Sequence, residues 1–183
     1  MTILFKIPES LQQIASTEHV EGVMDVEEIQ VGFDSYKLEN PAKWSLDITN
    51  TGSAFLLSGS ITAEVRAICA RCTEEFDLYL EGEVVAYYVM PETDVEETGL
   101  ELDDDEFEFV SEDGVIDFEP ALKAALIYDL PMVPLHDKNC LGLCSQCGKN
   151  LNEGNCDCTF EEDEDFSKNP FAVLKNLKFD NEK

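Results

Sequence analysis

The chain has 183 residues, of which 44% are apolar, so it is long enough to bury one core, and one domain with an appendage is the default expectation. The sequence contains 40 acidic residues but only 12 lysines and arginines, which gives a formal net charge of −28. This balance argues against a protein whose own surface follows a phosphate backbone, because such binding depends on lysine and arginine, and it favours a basic partner.

Alternating apolar and polar residues predict an antiparallel sheet in the first half of the chain. The period-two pattern appears in 44–48, in 60–68 and again in 76–88, where Gly82 is expected to bend a long strand. We predict a meander with one solvated face. The segment Cys69-Ala-Arg-Cys72 should then lie at the tip of one of its hairpins.

An abrupt change of composition follows the sheet. Fourteen of the 28 residues from 92 to 119 are acidic and none is basic, so we predict a solvated or disordered loop over 92–117. Phe107, Phe109 and Val110 are the only short apolar docking point in this loop.

A short amphipathic helix is predicted over 118–129. Asp117 is the expected N-cap, Pro120 is tolerated in the first turn, and Pro131 and Pro134 end the element. The residues expected to pack on the sheet recur at helical spacing and are Phe118, Leu122, Ala125 and Leu126.

These elements predict an α+β fold: an antiparallel, strongly bent sheet, or a small partly open barrel, with a short packed helix and a zinc-bearing C-terminal extension. The β-rich core domain would span 1–135, including a strand or two in 1–40. The extension would span 136–183, with an acidic linker around 157–165 and a final helix that begins at Asn169-Pro170.

The seven cysteines indicate metal or redox chemistry. No run of residues approaches the ~20 apolar residues of a membrane span, and the first ten residues lack the basic and then apolar layout of a signal peptide, so we expect a cytoplasmic protein. Thiols stay reduced in the cytoplasm, where closely spaced cysteines point to metal binding before they point to disulfides.

The strongest metal motif lies in the extension. Cys144, Cys147, Cys156 and Cys158 place four thiols within a short stretch, and Gly148 lets backbone N–H groups approach the thiolates. This spacing predicts a closed, structural zinc site with no open coordination position for a substrate.

Four more potential ligands remain. Cys69 and Cys72 at the hairpin tip can meet His136 and Cys140, which follow the helix, and would give a second zinc site that clips the extension to the sheet. The residues leave another grouping open, in which His136 and Cys140 join Cys144 and Cys147. One or two zinc ions per chain are therefore expected. The two Cys-x-x-Cys units do not look like a repeat, because their surroundings differ.

A redox protein is the alternative of a different class. A reactive Cys-x-x-Cys begins a helix, whereas Cys69 lies between two predicted strands, and Glu74 and Glu75 should raise its pKa. Motifs of hydrolases and nucleotide-binding enzymes are missing from the sequence, so we expect no enzymatic activity and no small-molecule substrate.

These cysteine motifs and their neighbours resemble the YceD family, the large ribosomal RNA subunit accumulation proteins. In order along the chain, the matching pieces are Cys69-Ala-Arg-Cys72, the 130–137 segment LPMVPLHD, the cysteine-rich segment 140–158, and the 169–178 segment NPFAVLKNLK. Some family members otherwise resemble this chain but carry cysteine in place of His136, which implies an interchangeable ligand there.

The resemblance implies a role in the synthesis, processing or accumulation of large-subunit (23S) ribosomal RNA in a bacterium. With a charge of −28, direct contact with RNA is a poor choice, so we expect an adaptor that engages a basic ribosomal protein or processing factor. The acidic segment 92–119, with Phe107 and Phe109 as anchors, is the predicted contact. A third hypothesis is that the acidic chain mimics nucleic acid.

Overall fold

Nine strands and one α-helix form the part of the chain that the computed structural model describes, which is residues 2–90 and 107–158. In chain order they are β1 Leu4–Lys6, β2 Thr17–Met24, β3 Glu28–Val31, β4 Asp34–Leu38, β5 Ala42–Asn50, β6 Ala54–Ile68, β7 Glu75–Val89, β8 Phe107–Phe109, β9 Val115–Asp117 and the helix α1 Glu119–Asp129. Short 3₁₀ turns lie at Glu9–Gln12 and Leu151–Glu153.

The long hairpin of β6 and β7 organises the sheet. Each strand has 15 residues, and they pair antiparallel along their whole length, from Ala54 opposite Val89 to Ile68 opposite Glu75. The other edge of β6 is shared, because β5 pairs with its first half and β4 with its second half. β2 adds to β5, β3 adds to β4, and β8 adds to β7 as a parallel strand.

The predicted α+β class is confirmed, with a mostly antiparallel sheet and one helix in the described residues. The sheet does not close into a barrel there, because β2 pairs only with β5 while β8 pairs only with β7. A separate two-stranded sheet joins β1 to β9. None of the helices described is long and apolar enough to cross a membrane.

One face of the sheet is buried under α1, as the alternation of the sequence predicts. In β6, Ile61 and Val65 are buried while Glu64 is exposed. The predicted inner face of the helix is confirmed as well: the four residues that recur at helical spacing are at most 4% exposed, and they are Phe118, Leu122, Ala125 and Leu126. Burial of these apolar side chains is the main force that holds the helix on the sheet.

Gly82 makes room for the helix beside β7. Its pairing with Ile61 is continuous with that of its neighbours. A Cβ at this position would lie 2.5 Å from the carbonyl oxygen of Ala125. The strand therefore needs glycine because the backbone of α1 packs directly against it.

The acidic loop predicted over 92–117 is structured in its second part. Phe107–Phe109 forms β8, Val110 is buried, and Val115–Asp117 forms β9. These residues form strands because they pair with neighbouring strands, although the acidic composition predicts a loop. Residues 91–106, and the linker and helix predicted beyond residue 158, lie outside the described residues.

The helix begins one residue later than predicted. Phe118 occupies the N-cap position, and Glu119 and Pro120 are the first helical residues. Asp117 nevertheless supplies the capping contact, because its carboxylate accepts a 3.0 Å hydrogen bond from the backbone N–H of Glu119.

Substitution of Gly82→Val should separate α1 from β7. The added side chain meets helix backbone, which cannot move aside without loss of the core beneath it, and we expect a cost of about 1–3 kcal/mol in the free energy of unfolding. Urea unfolding would measure it. The matched control is Glu64→Val on the exposed face of β6, which should change stability by less than about 0.5 kcal/mol. Equal effects of the two variants would contradict the close approach of helix and strand.

Candidate metal centre

The tip of the β6–β7 hairpin is a tight turn that carries two buried thiols. The backbone N–H of Cys69 donates to the carbonyl of Glu74 at 2.8 Å, and the N–H of Thr73 donates to the carbonyl of Cys69 at 2.9 Å. Thr73 has a φ of 62°, a left-handed conformation that is uncommon for a β-branched residue. Cys69 and Cys72 are 0% and 2% exposed, so the turn directs both thiols inward.

The chain returns to this turn after α1. The N–H of Ala70 donates to the carbonyl of Pro134 at 2.8 Å, and the Arg71 guanidinium donates to the carbonyl of Cys140 at 3.0 Å. These two contacts hold 134–140 against the tip. They bring His136 and Cys140 to the two thiols of the hairpin.

Four ligand atoms converge there, in what we call the hairpin cluster: Cys69, Cys72, His136 and Cys140. The atoms all lie within 4.8 Å of one another. The sulfurs of Cys69 and Cys140 are 3.8 Å apart, and the sulfur of Cys72 lies 3.3 Å from Nδ1 of His136. A tetrahedral site with Zn–S bonds of about 2.3 Å has sulfur–sulfur edges of about 3.8 Å, so the donor set fits a tetrahedrally bound ion.

A second group, the loop cluster, consists of Cys144, Cys147, Cys156 and Cys158. Its four sulfurs also lie within 4.8 Å of one another. The loop is closed by an isolated β-bridge between Leu143 and Asn150 and by a 2.8 Å hydrogen bond from the Lys149 ammonium to the carbonyl of Asn155. Cys147 is exposed, and Cys156 and Cys158 are half-buried, so this cluster is more open to solvent than the first.

Both Cys-x-x-Cys units adopt the same turn. In the loop cluster the N–H of Cys144 donates to the carbonyl of Lys149 and the N–H of Gly148 donates to the carbonyl of Cys144, at the same spacing as in the hairpin. Gly148 has a φ of 72°, the conformation that Thr73 adopts in the other unit. The two units therefore differ in their surroundings, as predicted, but they share the same local backbone conformation.

Two asparagine side chains that are not predicted from the sequence connect the two clusters. The Asn150 amide donates to the Glu74 carboxylate at 2.9 Å, and the Asn152 amide donates to the sulfur of Cys140 at 3.3 Å. The backbone N–H of Leu141 in turn donates to the side-chain oxygen of Asn152 at 2.8 Å. The close spacing of two asparagines after a Cys-x-x-Cys-Gly unit was the only sequence feature that could have indicated them.

The electrostatics of each cluster favour a cation. Burial opposes ionisation of Cys69, but backbone N–H groups, first that of Cys72 and then that of His136, outweigh it and lower the pKa of the Cys69 thiol to about 5. Burial, together with the neighbouring thiols of Cys69 and Cys140, raises the pKa of Cys72 to about 12. One thiol ionises readily while its neighbour keeps its proton, because several thiolates this close repel one another unless a cation lies between them.

The loop cluster repeats this pattern. The backbone N–H groups of Cys147 and Gln146 lower the pKa of Cys144 to about 6. Contact with Cys147, followed by burial, raises the pKa of Cys158 to about 12. The expectation that Glu74 and Glu75 raise the pKa of Cys69 is wrong, because Glu74 approaches the sulfur of Cys72 instead, at 3.5 Å.

All eight residues named as candidate ligands lie in one of the two clusters, and each cluster can hold a metal ion. The grouping is the one that joins the hairpin tip to His136 and Cys140. The alternative, with His136 and Cys140 beside Cys144 and Cys147, does not form.

A polar group on the open face of the sheet has the order of a hydrolytic triad. Asp47 lies 2.7 Å from Nδ1 of His19, and Ser45 lies 3.4 Å from its Nε2. The side chains of His19 and Asp47 are 57% and 54% exposed, so water has free access to them. A nucleophile of this type needs a tighter contact and shelter from water, and we assign the group no role.

The sequence matches the family model described as large ribosomal RNA subunit accumulation protein YceD over residues 57–178. That range includes β6, β7, α1 and both clusters. An uncharacterized protein of Mycobacterium leprae is 26% identical over 67% of this chain and 55% of its own length. Uncharacterized proteins of Mycobacterium bovis and Mycobacterium tuberculosis are also 26% identical, over 65% of this chain and 56% of their own length.

The chain thus spans about half the length of the curated relatives it matches. No solved structure matches it at a significant level.

Reciprocal substitutions should show that both turns need a left-handed residue at the same position. In Thr73→Gly the strain of about 1–2 kcal/mol is relieved and is only partly offset by the flexibility of glycine, so the free energy of unfolding in urea should not fall and should rise by up to about 1 kcal/mol. In Gly148→Thr the same strain is introduced, and hydrogen exchange at the amides of 144–149 should become faster. A loss of stability in Thr73→Gly would contradict the shared turn.

Proposed function

Because the chain belongs to the YceD family of large ribosomal RNA subunit accumulation proteins, we propose that it is a bacterial ribosome-biogenesis factor. It would support the synthesis, processing or accumulation of large-subunit ribosomal RNA. The observation that carries this proposal is a family match that spans two thirds of the chain and includes both cysteine clusters. Its role is that of a non-enzymatic adaptor.

Each cluster holds a zinc ion in this proposal. Three thiolates with one imidazole, or four thiolates, are the donor sets that structural zinc prefers, and four protein ligands leave no position open for a substrate. The hairpin cluster ties 134–140 to the sheet, and the loop cluster closes the segment that follows. This segment has little apolar burial of its own: between residues 131 and 158 the buried apolar-type side chains are those of Cys140 and Cys144. Metal binding therefore replaces a hydrophobic core there.

The partner in this proposal is a basic ribosomal protein or processing factor. A net charge of −28 repels phosphate at contact, and zinc bound by the four thiolates of the loop cluster would add to the negative charge. The acidic segment from 92 to 119 includes Phe107 and Phe109, whose rings lie 5.4 Å apart in an edge-on contact on β8. They supply an apolar anchor beside the carboxylates. An acidic mimic of nucleic acid would differ in one respect, because RNA would then compete for the same partner.

Metal analysis of the purified chain should find about two zinc ions per molecule. Cys140→Ser should remove one ion and expose residues 131–158 to protease, since it breaks the tie to the hairpin. Cys156→Ser should remove the other ion and leave the β6–β7 hairpin protected. Ser145→Ala, between Cys144 and Cys147, is the matched control and should keep both ions.

Purification of the chain without metal, together with a thiol that reacts rapidly near neutral pH, would favour the redox alternative over the zinc-stabilised adaptor.

Depletion of the chain in its host should lower the ratio of large-subunit to small-subunit ribosomal RNA. Expression of the natural chain should restore the ratio, whereas Cys72→Ser should not, because the hairpin cluster then lacks one of its four ligands. Ser145→Ala should restore it as well as the natural chain does. An unchanged ratio after depletion would remove the proposed role in ribosome biogenesis, whatever the metal content.

A further inference from the structure

A groove of about 510 Å³ runs between the helix and one edge of the sheet. β8 pairs with β7 only from Tyr87 to Val89, so the earlier part of that edge is not paired with another of the described strands. At the far end the N–H of Glu81 donates to the Asp129 carboxylate at 2.7 Å. The groove lies between these two points, and Glu83, Val85 and Tyr128 are among the residues that line it.

The backbone of this edge points into the groove. The N–H of Glu81 and the carbonyl of Val89 both point away from β6, toward Asp129 and Val110. Backbone groups alternate in direction along a strand, so those of Glu83 and Val85 point the same way. An extended segment can add to such an edge through main-chain hydrogen bonds.

Apolar surface flanks the exposed edge. Val85 is 58% exposed and Tyr128 is 88% exposed, and Ala121 and Ala124 of the helix form the opposite wall beside Phe107. Small side chains on the helix leave room for the stem of a long residue. Aromatic rings at the rim can contact a cation that such a stem carries.

The charge of the groove selects a basic occupant. Glu83 and Glu108 line it, and the described residues that line it include no lysine or arginine. Burial, and next the neighbouring Asp117, raise the pKa of Glu108. A lysine or arginine of a partner in the groove would place a positive charge beside this carboxylate.

We propose that this groove is the contact point for the partner, and that it binds an extended basic segment of that protein as an added strand. The segment would pair with Glu83 and Val85 of β7 in line with β8, and its basic side chains would reach Glu83 and Glu108. This inference rests on the proposed function, which supplies a basic partner, and it adds where and in which conformation that partner binds. Residues 91–106 of the chain itself are an unsuitable occupant, because nine of them are acidic and none is basic.

The test uses the full chain and a labelled synthetic peptide of alternating lysine and valine. A peptide of the same sequence with every backbone nitrogen methylated carries the same charge, but it has no N–H groups to pair with the edge. We expect the unmethylated peptide to bind at least about tenfold more tightly, which corresponds to about 1.4 kcal/mol. Equal binding of the two peptides would overturn strand addition.

Two double variants locate the site. Glu83→Gln with Glu108→Gln should weaken the lysine–valine peptide about five- to tenfold at low salt, because each lost ion pair contributes up to about 1 kcal/mol. The matched control, Glu64→Gln with Glu112→Gln, removes the same charge outside the groove and should have less than a twofold effect. Equal losses in the two double variants would show general attraction to an acidic protein and would overturn the groove.

Two further results keep the alternatives apart. If the peptide binds only to a chain that ends at residue 158, the lysine-containing segment 159–183 occupies the groove, and the inference of a partner there is wrong. If the groove variants still restore the ribosomal RNA ratio in depleted cells, the groove is overturned as the partner's contact while the proposed function stands. If depletion of the chain leaves the ribosomal RNA ratio unchanged, the proposed function itself is wrong.

Discussion

The structure depends on the convergence of the hairpin tip and the chain that returns after α1. Cys69 and Cys72 lie at the end of two long paired strands, and His136 and Cys140 are brought to them by the contacts of Ala70 and Arg71 with the returning backbone. A strand pair of 15 residues is a rigid support for such a turn. Without the thiols, residues 131–158 would have little to attach them, because they bury few apolar side chains.

The rest of the molecule can be understood as a scaffold for that attachment. The buried face of the sheet and the inner face of α1 form the core, and Gly82 lets the helix approach the strand closely enough to fix where residues 131–140 begin. In the proposed adaptor, metal binding stabilises one end of the molecule and leaves the groove beside α1 free for a basic segment.

The sequence predicted the parts of the fold that follow from local periodicity. The strands around 60–68 and 76–88 and the helix near 118–129 were accessible, because each depends on spacing along the chain. The eight candidate ligands were also accessible, but their division between two clusters was not, because it joins residues far apart in sequence. The strands β8 and β9 were missed, since acidic composition hides segments that are held by pairing with distant strands. No local pattern predicts the role of Gly82, the contacts of Asn150 and Asn152, or the groove. Each of these features depends on residues far apart in sequence.

Hydrogen exchange of the metal-loaded and chelator-treated chain tests the central claim most directly. The account predicts that metal removal sharply accelerates exchange at the amides of Ala70, Cys140 and Cys144, which donate to the carbonyls of Pro134, Asp137 and Lys149. The amides of β5 and the first half of β6 should stay slow. Unchanged protection at Ala70 and Cys140 after complete removal of the metal would contradict it. In that case the returning chain would be held by contacts other than the two clusters.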